Sequence, residues 1–308
     1  MKKIIITGAT SMIGTALTEA AVREGTEVYA IVRPNTNRQG RIISSPLVHV
    51  VYGTLEKMDE IEGLPSNCNV FYHFAWAGTV KATRDNPEIH EKNIKYTLDA
   101  VNLAKKSGCH RFVGAGSQAE YGSVYDRIDE NTKYAPATSY GIAKLSAGIM
   151  SRKLCEKYDI DHVWGRVFSI YGPHDNDGTM LEYALRCWNN GKIAKFSSGL
   201  QSWNYLYETD AGEMFYRIGC DVIPAGNYFI ASHESMTLKQ YIEIMRRCYG
   251  AGAYCEFADS SVTLSGLDVD MQRTLNTLKY TPKVSFEEGI GNMIAAKTAE
   301  IRVGGGTA

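Results

Sequence analysis

Nowhere in the 308 residues does an apolar run approach the length that a bilayer demands, so no membrane partner is expected. The charges, 33 basic against 34 acidic, leave a formal net of −1. A nucleic-acid surface would need a basic excess that is missing here. The seven cysteines are scattered and contain no CxxC pair. That excludes a disulfide framework and a zinc cluster, and suits a reducing compartment. The seven histidines show no HExxH or other paired spacing, so no metal is expected. The amino terminus lacks a signal-peptide apolar core, which predicts a cytoplasmic protein. Internal repeats, low-complexity tracts and polar linkers are also missing. What remains is an ordinary globular composition, 44% hydrophobic and 22% charged. It is too apolar for disorder and long enough for one large domain or two of moderate size.

The first half alternates short apolar strands with amphipathic helices. Strands are expected at Lys3–Ile6, Glu27–Val32, Leu47–Tyr52, Val70–Phe74 and Arg111–Gly114. Helices are expected at Met12–Glu24 and Pro87–Ser107, the second with Pro in its first turn and Gly108 past its end. Continuous strands spaced by helices predict an α/β fold, a doubly wound parallel sheet of the Rossmann kind with right-handed crossovers. After about residue 172 the pattern loosens into shorter elements at Met180–Asn190, Tyr228–Ala231 and Leu238–Tyr249. Residues 1–172 therefore read as the dinucleotide-binding domain. Residues 173–308 read mainly as a substrate-binding lobe, with part of the chain returning to the sheet.

Thr7-Gly8-Ala9-Thr10-Ser11-Met12-Ile13-Gly14 sits between the first strand and the first helix. Gly8 permits the tight turn and Gly14 the close packing of helix on sheet. The N–H groups of the helix start then face a pyrophosphate. At the end of the second strand, where a carboxylate would select NAD by bonding the ribose hydroxyls, the chain has Arg33-Pro34, then Arg38 and Arg41, and no acid before Glu56. A cation there favours the 2′-phosphate of NADP over NAD, a solvated surface arginine being the alternative.

Tyr140 and Lys144 stand at i and i+4, on one face of a helix. A nearby ammonium stabilises a phenolate, so the pair can move a proton to a carbonyl or from an alcohol. Ser117 lies at the carboxyl end of a strand, where open α/β sheets bind ligands, and could bond the same substrate oxygen.

These motifs, in this order, resemble the extended short-chain dehydrogenase/reductase family, with its nucleotide-sugar epimerases, dehydratases and 4-ketoreductases. The likeness spans nearly the whole chain. It includes Phe71-Tyr72-His73-Phe74-Ala75, Arg166-Val167-Phe168-Ser169-Ile170-Tyr171-Gly172-Pro173, Tyr205-Leu206-Tyr207 with Asp210, and Pro282–Gly289. The resemblance implies Tyr140 as acid–base, Lys144 lowering its pKa and gripping the nicotinamide ribose, and Ser117 orienting the reacting oxygen. It places Gly8, Thr10, Ser11, Met12, Ile13 and Gly14 at the pyrophosphate, and Arg33, Thr54 and Leu55 at the adenosine. Phe74, Ala75, Asn93 and Val167 join Tyr140 and Lys144 in holding the cofactor. Gln118, Ser169, His174, Trp203 and Tyr205 fall to the substrate, a nucleotide-sugar. It also implies a homodimer through the helices at about Pro87–Ser107 and Ser139–Tyr158, with Tyr96, Leu103, Ile149 and Leu154 as contacts.

The departures bear on the reaction. The family's dehydratases carry an acidic pair directly after the position of Ser117, where this chain has Gln118-Ala119, with Glu120 one residue on and expected to face away. Dehydration is thereby disfavoured. Ser11, Thr54, Ser169 and Trp203-Asn204 replace residues usual in the family. The reading is NADP-dependent 4-keto reduction of a nucleotide-linked deoxysugar. The alternatives are a 4-epimerase with tightly held NAD, a non-sugar carbonyl reductase, and a catalytically silent dinucleotide sensor.

Overall fold

The computed structural model describes residues 1–80, 82–176, 178–259 and 264–304. Its first strand, β1 (Lys3–Thr7), is a β-branched run that is buried beyond its first residue. Ser11 then starts α1 (Met12–Arg23), its hydroxyl accepting the Gly14 N–H and so satisfying one of the free donors of the first turn. There follow β2 (Glu27–Val32), β3 (Val48–Tyr52) and β4 (Val70–His73). Helix α2 (Pro87–Lys106) has Asn86 as its cap and Pro87 in its first turn. After β5 (Arg111–Ser117) comes α3 (Ser139–Tyr158), capped by the Thr138 hydroxyl and ended by Asp159 in the left-handed conformation. The sixth strand, β6, is Asp161–Val167.

Beyond it lie β7 (Ser169–Tyr171), α4 (Met180–Asn189), β8 (Ala194–Phe196), β9 (Ser202–Trp203) and β10 (Tyr205–Tyr207). Then come α5 (Glu208–Cys220), β11 (Gly226–Ile230), β12 (Met236–Thr237), α6 (Leu238–Tyr249), β13 (Cys255–Phe257), α7 (Gln272–Leu278) and α8 (Phe286–Gly304).

Seven of these strands form one parallel sheet in the order β11-β6-β5-β4-β1-β2-β3, flanked by helices in the doubly wound manner. The order reverses between β1 and β4, which opens a crevice at their carboxyl ends. One apolar core lies under α1 and α5, with Ile4, Ile6, Leu17, Phe215 and Ile218 fully buried. The second, built on Ile5, Phe71, Phe112, Val101 and Ala104, lies under α2 and α3. Helix α5 and strand β11 both come from beyond residue 172. Helix α5 packs along α1, and β11 pairs with β6 as the edge of the sheet.

A third core gathers α4, α6 and α8 around Trp188, Tyr241, Phe286 and Ile290. It is tied to the sheet by Asp210, which accepts the Tyr280 hydroxyl and the backbone N–H groups of Lys283 and Val284.

Strand β5 runs three residues further than the sequence suggests. Ala115 and Gly116 have poor strand propensity, yet pairing with β6 continues to Ser117 opposite Val167. The gap left by the small residues is filled by Trp164. A Cβ on Gly116 would stand 2.3 Å from its indole nitrogen.

Candidate active site

At the carboxyl end of β1 the backbone itself forms the recess. Gly8 turns with φ +72°, and a Cβ there would lie 2.7 Å from the Ala75 nitrogen; one on Gly14 would lie 2.3 Å from the Gly8 carbonyl. No larger residue fits this cradle, which is the space a pyrophosphate needs at a helix amino terminus. Thr10 and Ser11 are half-buried at its rim, while Met12 and Ile13 pack partly against the core. A dinucleotide therefore fits the residues present.

Two strands away, Ser117 ends β5, and its hydroxyl accepts the Ala119 N–H at 3.2 Å. Glu120 is fully buried, accepting the Ser117 N–H (2.8 Å) and the Trp164 indole (3.0 Å) on one oxygen, and Arg166 Nε (2.7 Å) on the other, so neither oxygen is free. A carboxylate beside a buried guanidinium turns inward to pair with it.

Tyr140 and Lys144 project from the first two turns of α3 toward Ser117. The Lys144 ammonium donates to the Ala115 carbonyl at 2.8 Å and lies 3.7 Å from the Trp76 ring centre. Burial holds its pKa down to about 7, with Glu120 pulling upward and Arg84 adding to the depression. Burial raises the Tyr140 phenol, Arg84 and Ser117 favour its ionised form, and Glu120 opposes them.

A loop not singled out by the sequence closes over this group. Trp76 stands edge-on to Tyr140 at 6.1 Å, His90 does so at 5.6 Å, and the Arg84 guanidinium lies 4.5 Å above the phenol ring. Nδ1 of His90 accepts from the Trp76 indole (3.3 Å), which leaves Nε2 to donate to the Arg84 carbonyl (3.0 Å). Asn93 binds Ala77 through both its amide oxygen and nitrogen, at 2.9 Å each. Its side chain thus holds this loop.

The other sequence candidates divide. Arg33 is exposed just past β2, and Thr54 and Leu55 are half-buried beyond β3, all at the same end of the sheet as the phosphate turn. Val167 ends β6 beside Ser117. Ala75 lies against Gly8, but the Phe74 ring packs at 4.7 Å on Phe215 in the core, so only its backbone borders the turn. Tyr205 is half-buried, its ring lying beside Tyr171, Tyr241 and Phe286 against the core of the C-terminal lobe. Leu103 is core as well, whereas Ile149 is exposed; Tyr96 is half-buried, and Leu154 packs partly on the core. Gln118 and Ser169 are half-buried near Ser117 and Val167 in the chain.

His174 Nδ1 is 3.3 Å from Glu208 Oε1. The indole nitrogen of Trp203 is buried without a hydrogen-bond partner, as are Ser198 Oγ, Gln201 Oε1 and Glu208 Oε2. Asp175, also unremarked in the sequence, is pushed up to about 6, chiefly by burial. A separate cavity of about 470 Å³ opens beside β11, bounded by Tyr134, Arg166, Phe229 and Arg273. Among the described residues no group of His, Cys, Asp and Glu could hold a metal, and no helix is long and apolar enough to cross a membrane.

Against known proteins, the model of the NAD dependent epimerase/dehydratase family matches residues 4–223. The UDP-glucuronate 4-epimerase of Thermodesulfobacterium geofontis is 25% identical over 228 residues, 71% of this chain and 69% of that protein. The solved UDP-N-acetylglucosamine 4-epimerase of Methanobrevibacter ruminantium superposes with a TM-score of 0.85 at 18% identity, covering 97% of this chain and 99% of that one. The UDP-glucuronic acid 4-epimerase of Bacillus cereus, solved in complex with NAD, gives 0.84 at 19% identity and 99% coverage of both chains. These structural likenesses speak for the fold.

Proposed function

The chain belongs to the NAD dependent epimerase/dehydratase family, enzymes of the extended short-chain dehydrogenase/reductase type that use a nicotinamide dinucleotide, and from that premise we propose that it reduces the 4-keto group of a nucleotide-linked sugar. The observation that carries this reading is the convergence of Ser117, Tyr140 and Lys144 beside the phosphate turn, with no carboxylate free to work there. Gln118 and Ala119 have no acid to offer, and both oxygens of Glu120 are engaged by Ser117, Trp164 and Arg166. Removal of a proton from C5, which elimination of water requires, finds no free carboxylate in the segment Gln118–Glu120.

In this reading Gly8, Thr10, Ser11, Met12, Ile13 and Gly14 hold the pyrophosphate on backbone N–H groups. Arg33, Thr54 and Leu55 border the adenosine. When bound, the reduced dinucleotide supplies the hydride that the carbonyl carbon accepts. Ser117 donates to the carbonyl oxygen and fixes its direction. Tyr140 gives its phenolic proton to that oxygen, and Lys144, in its protonated form, stabilises the phenolate left behind. Solvent then returns one proton to Tyr140, so ketone, reduced cofactor and one proton become alcohol and oxidised cofactor. Gln118, Ser169, His174 and Trp203 are the side chains offered to the sugar-nucleotide.

Arg33 supports the choice of NADP(H): it is exposed just past β2, and a bidentate guanidinium would match a 2′-phosphate. Arg33 also supports reduction, since an exchangeable reductant suits a net redox reaction. The second reading, 4-epimerisation with resident NAD, is favoured by the NAD held in the similar Bacillus cereus epimerase. A homodimer through α2 and α3 is in keeping with the exposure of Ile142, Ile149 and Met150 on α3.

The test is to identify the dinucleotide that copurifies and then to assay nucleotide 4-keto sugars with NADPH and NADH. Stoichiometric loss of NADPH with alcohol formed supports reduction. Interconversion of C4 epimers without net cofactor consumption replaces it with the second reading.

A further inference from the structure

The loop between β4 and α2 presents a permanent cation to the phenol. We propose that Arg84 is a positioning residue for Tyr140, clamping its ring against Trp76 and His90 and stabilising the phenolate form. This rests on the reading of Tyr140 as the acid–base group.

The geometry is specific. The guanidinium carbon is 4.5 Å from the centre of the Tyr140 ring, well within the range of a cation–π contact. Ionising the phenol adds electron density to that ring, so a cation over its face stabilises the phenolate more than the phenol. The loop is not free to carry Arg84 away. The His90 imidazole joins the Trp76 indole to the Arg84 carbonyl, and Asp85 accepts the Ser139 N–H at 2.7 Å, in the first turn of α3 itself. The helix bearing Tyr140 and the segment bearing Arg84 are thereby fastened to each other one residue from each.

Among the described residues, the charged and titratable groups around the phenol are Arg84 from this loop, Lys144 on the same helix, Glu120 beyond Ser117, and His90 on α2. Glu120 opposes ionisation, though its charge is paired to Arg166. Lys144 is buried and held to about 7, so near neutrality it is only part of the time a cation. A guanidinium stays charged throughout. Arg84 is therefore the steady source of positive charge, and it also contributes to the depression at Lys144. Removing it acts in two opposed ways: the phenol loses its cation, while the ammonium regains charge. The direct contact dominates, because Nζ of Lys144 is 5.8 Å from the ring centre and engaged at Ala115.

The decisive measurement is NMR of tyrosine labelled at Cζ, titrated with pH in the full chain. Tyr140→Phe assigns the resonance in each background. In Arg84→Gln the Tyr140 midpoint is expected to rise by about one pH unit, a tenfold fall in phenolate at a fixed lower pH. Arg84→Lys should recover more than half of that displacement, because charge rather than shape is at stake. Should the phenol titrate only beyond the pH at which the fold is lost, the phenolate-dependent limb of kcat/KM for alcohol oxidation is read instead, with the same expected displacement. A midpoint unmoved in Arg84→Gln, or moved equally by Arg84→Lys, overturns the proposal. The resonance needs no turnover. A displaced midpoint in a protein inert toward sugars would leave this inference standing and sink the proposed reaction alone.

Discussion

The floor of the active site and the cleft of the C-terminal lobe treat polar groups in opposite ways. On the floor, nearly every buried polar atom is answered within the protein: Glu120 by three donors, Lys144 by a carbonyl, Asn93 by both ends of Ala77. Among the described residues, six of the eight buried side-chain atoms without a hydrogen bond lie between His174 and Glu208. Two of those six still have an ionic neighbour, His174 beside Glu208 and Glu182 beside Lys297. Ser198, Gln201 and Trp203 have none among the described residues. An unanswered buried polar atom is expensive, so a group of them in one segment signals a partner that arrives from outside. On the proposed reading, the floor holds its shape and the lobe is completed by the sugar-nucleotide.

The comparison is broken most severely at Tyr140. Tyr140→Phe removes the proton donor and leaves every backbone group of the phosphate turn in place. Turnover is expected to fall by at least about 10²–10⁴, the usual worth of a positioned acid–base group. Cofactor affinity, measured by calorimetry, should stay within about tenfold, since losing one contact of a typical 0.5–1.5 kcal/mol is the most that the phenol could contribute to it. Hydride transfer at the wild-type rate in a single turnover would remove Tyr140 from the mechanism.

Glu120 sharpens the other side of the contrast. Glu120→Ala strands Arg166 as an uncompensated buried cation, so stability should drop by about 3–5 kcal/mol in denaturant unfolding. Glu120→Gln keeps an acceptor for Ser117 and Trp164 and should lose markedly less. Equal losses in the two variants would mean that the charge of the pair is irrelevant.

Much of this floor is readable in the sequence because geometry leaves so few choices. A helix that starts hard against a strand excludes Cβ atoms, hence Gly8 and Gly14. A phenol and an ammonium must share a helix face, hence Tyr140 and Lys144. The length of β5 was less legible, because Ala115 and Gly116 carry no strand signature, and only the Trp164 side chain reveals why Gly114 and Gly116 are small. Trp76, Arg84 and His90 were unreadable for another reason: their contact with Tyr140 joins segments 50 to 64 residues apart, and a loop arginine leaves no pattern. On α2 and α3 the apolar stripe could not tell Leu103, which faces the core, from Ile149, which faces out.

Arg33 tests the cofactor end at smaller amplitude. Losing a partly exposed, charge-assisted contact should lower NADPH affinity by roughly ten- to a hundredfold, or about 1.5–3 kcal/mol, with NADH scarcely affected. Titration of both cofactors into wild type and Arg33→Ala reads this directly. If wild type already prefers NADH, Arg33 is a bystander, and epimerisation with resident NAD becomes the leading reading.

The smallest expected effect lies in the lobe and bears most directly on the contrast. Trp203→Phe deletes a buried N–H that has no partner in the free protein, while keeping an aromatic ring against the two cores that Trp203 adjoins. Removing an unanswered donor relieves a desolvation penalty, and trimming the ring loses some packing. The two changes oppose each other, so stability should move by less than about 0.5 kcal/mol. A donor that protein leaves unanswered but substrate answers is a different matter. There the variant should weaken binding by about 1 kcal/mol, near fivefold in KM, with kcat held. The same logic predicts the reverse for Asn204, one residue on, whose amide is fully engaged by Ser232, Glu234 and Ser235. Asn204→Ala should cost stability before it touches KM. Thermal unfolding and steady-state kinetics on the two neighbours, side by side, decide the point. If Trp203→Phe loses stability as Asn204→Ala does and leaves KM alone, the unanswered indole is part of the fold, and the lobe does not wait for a ligand at that position.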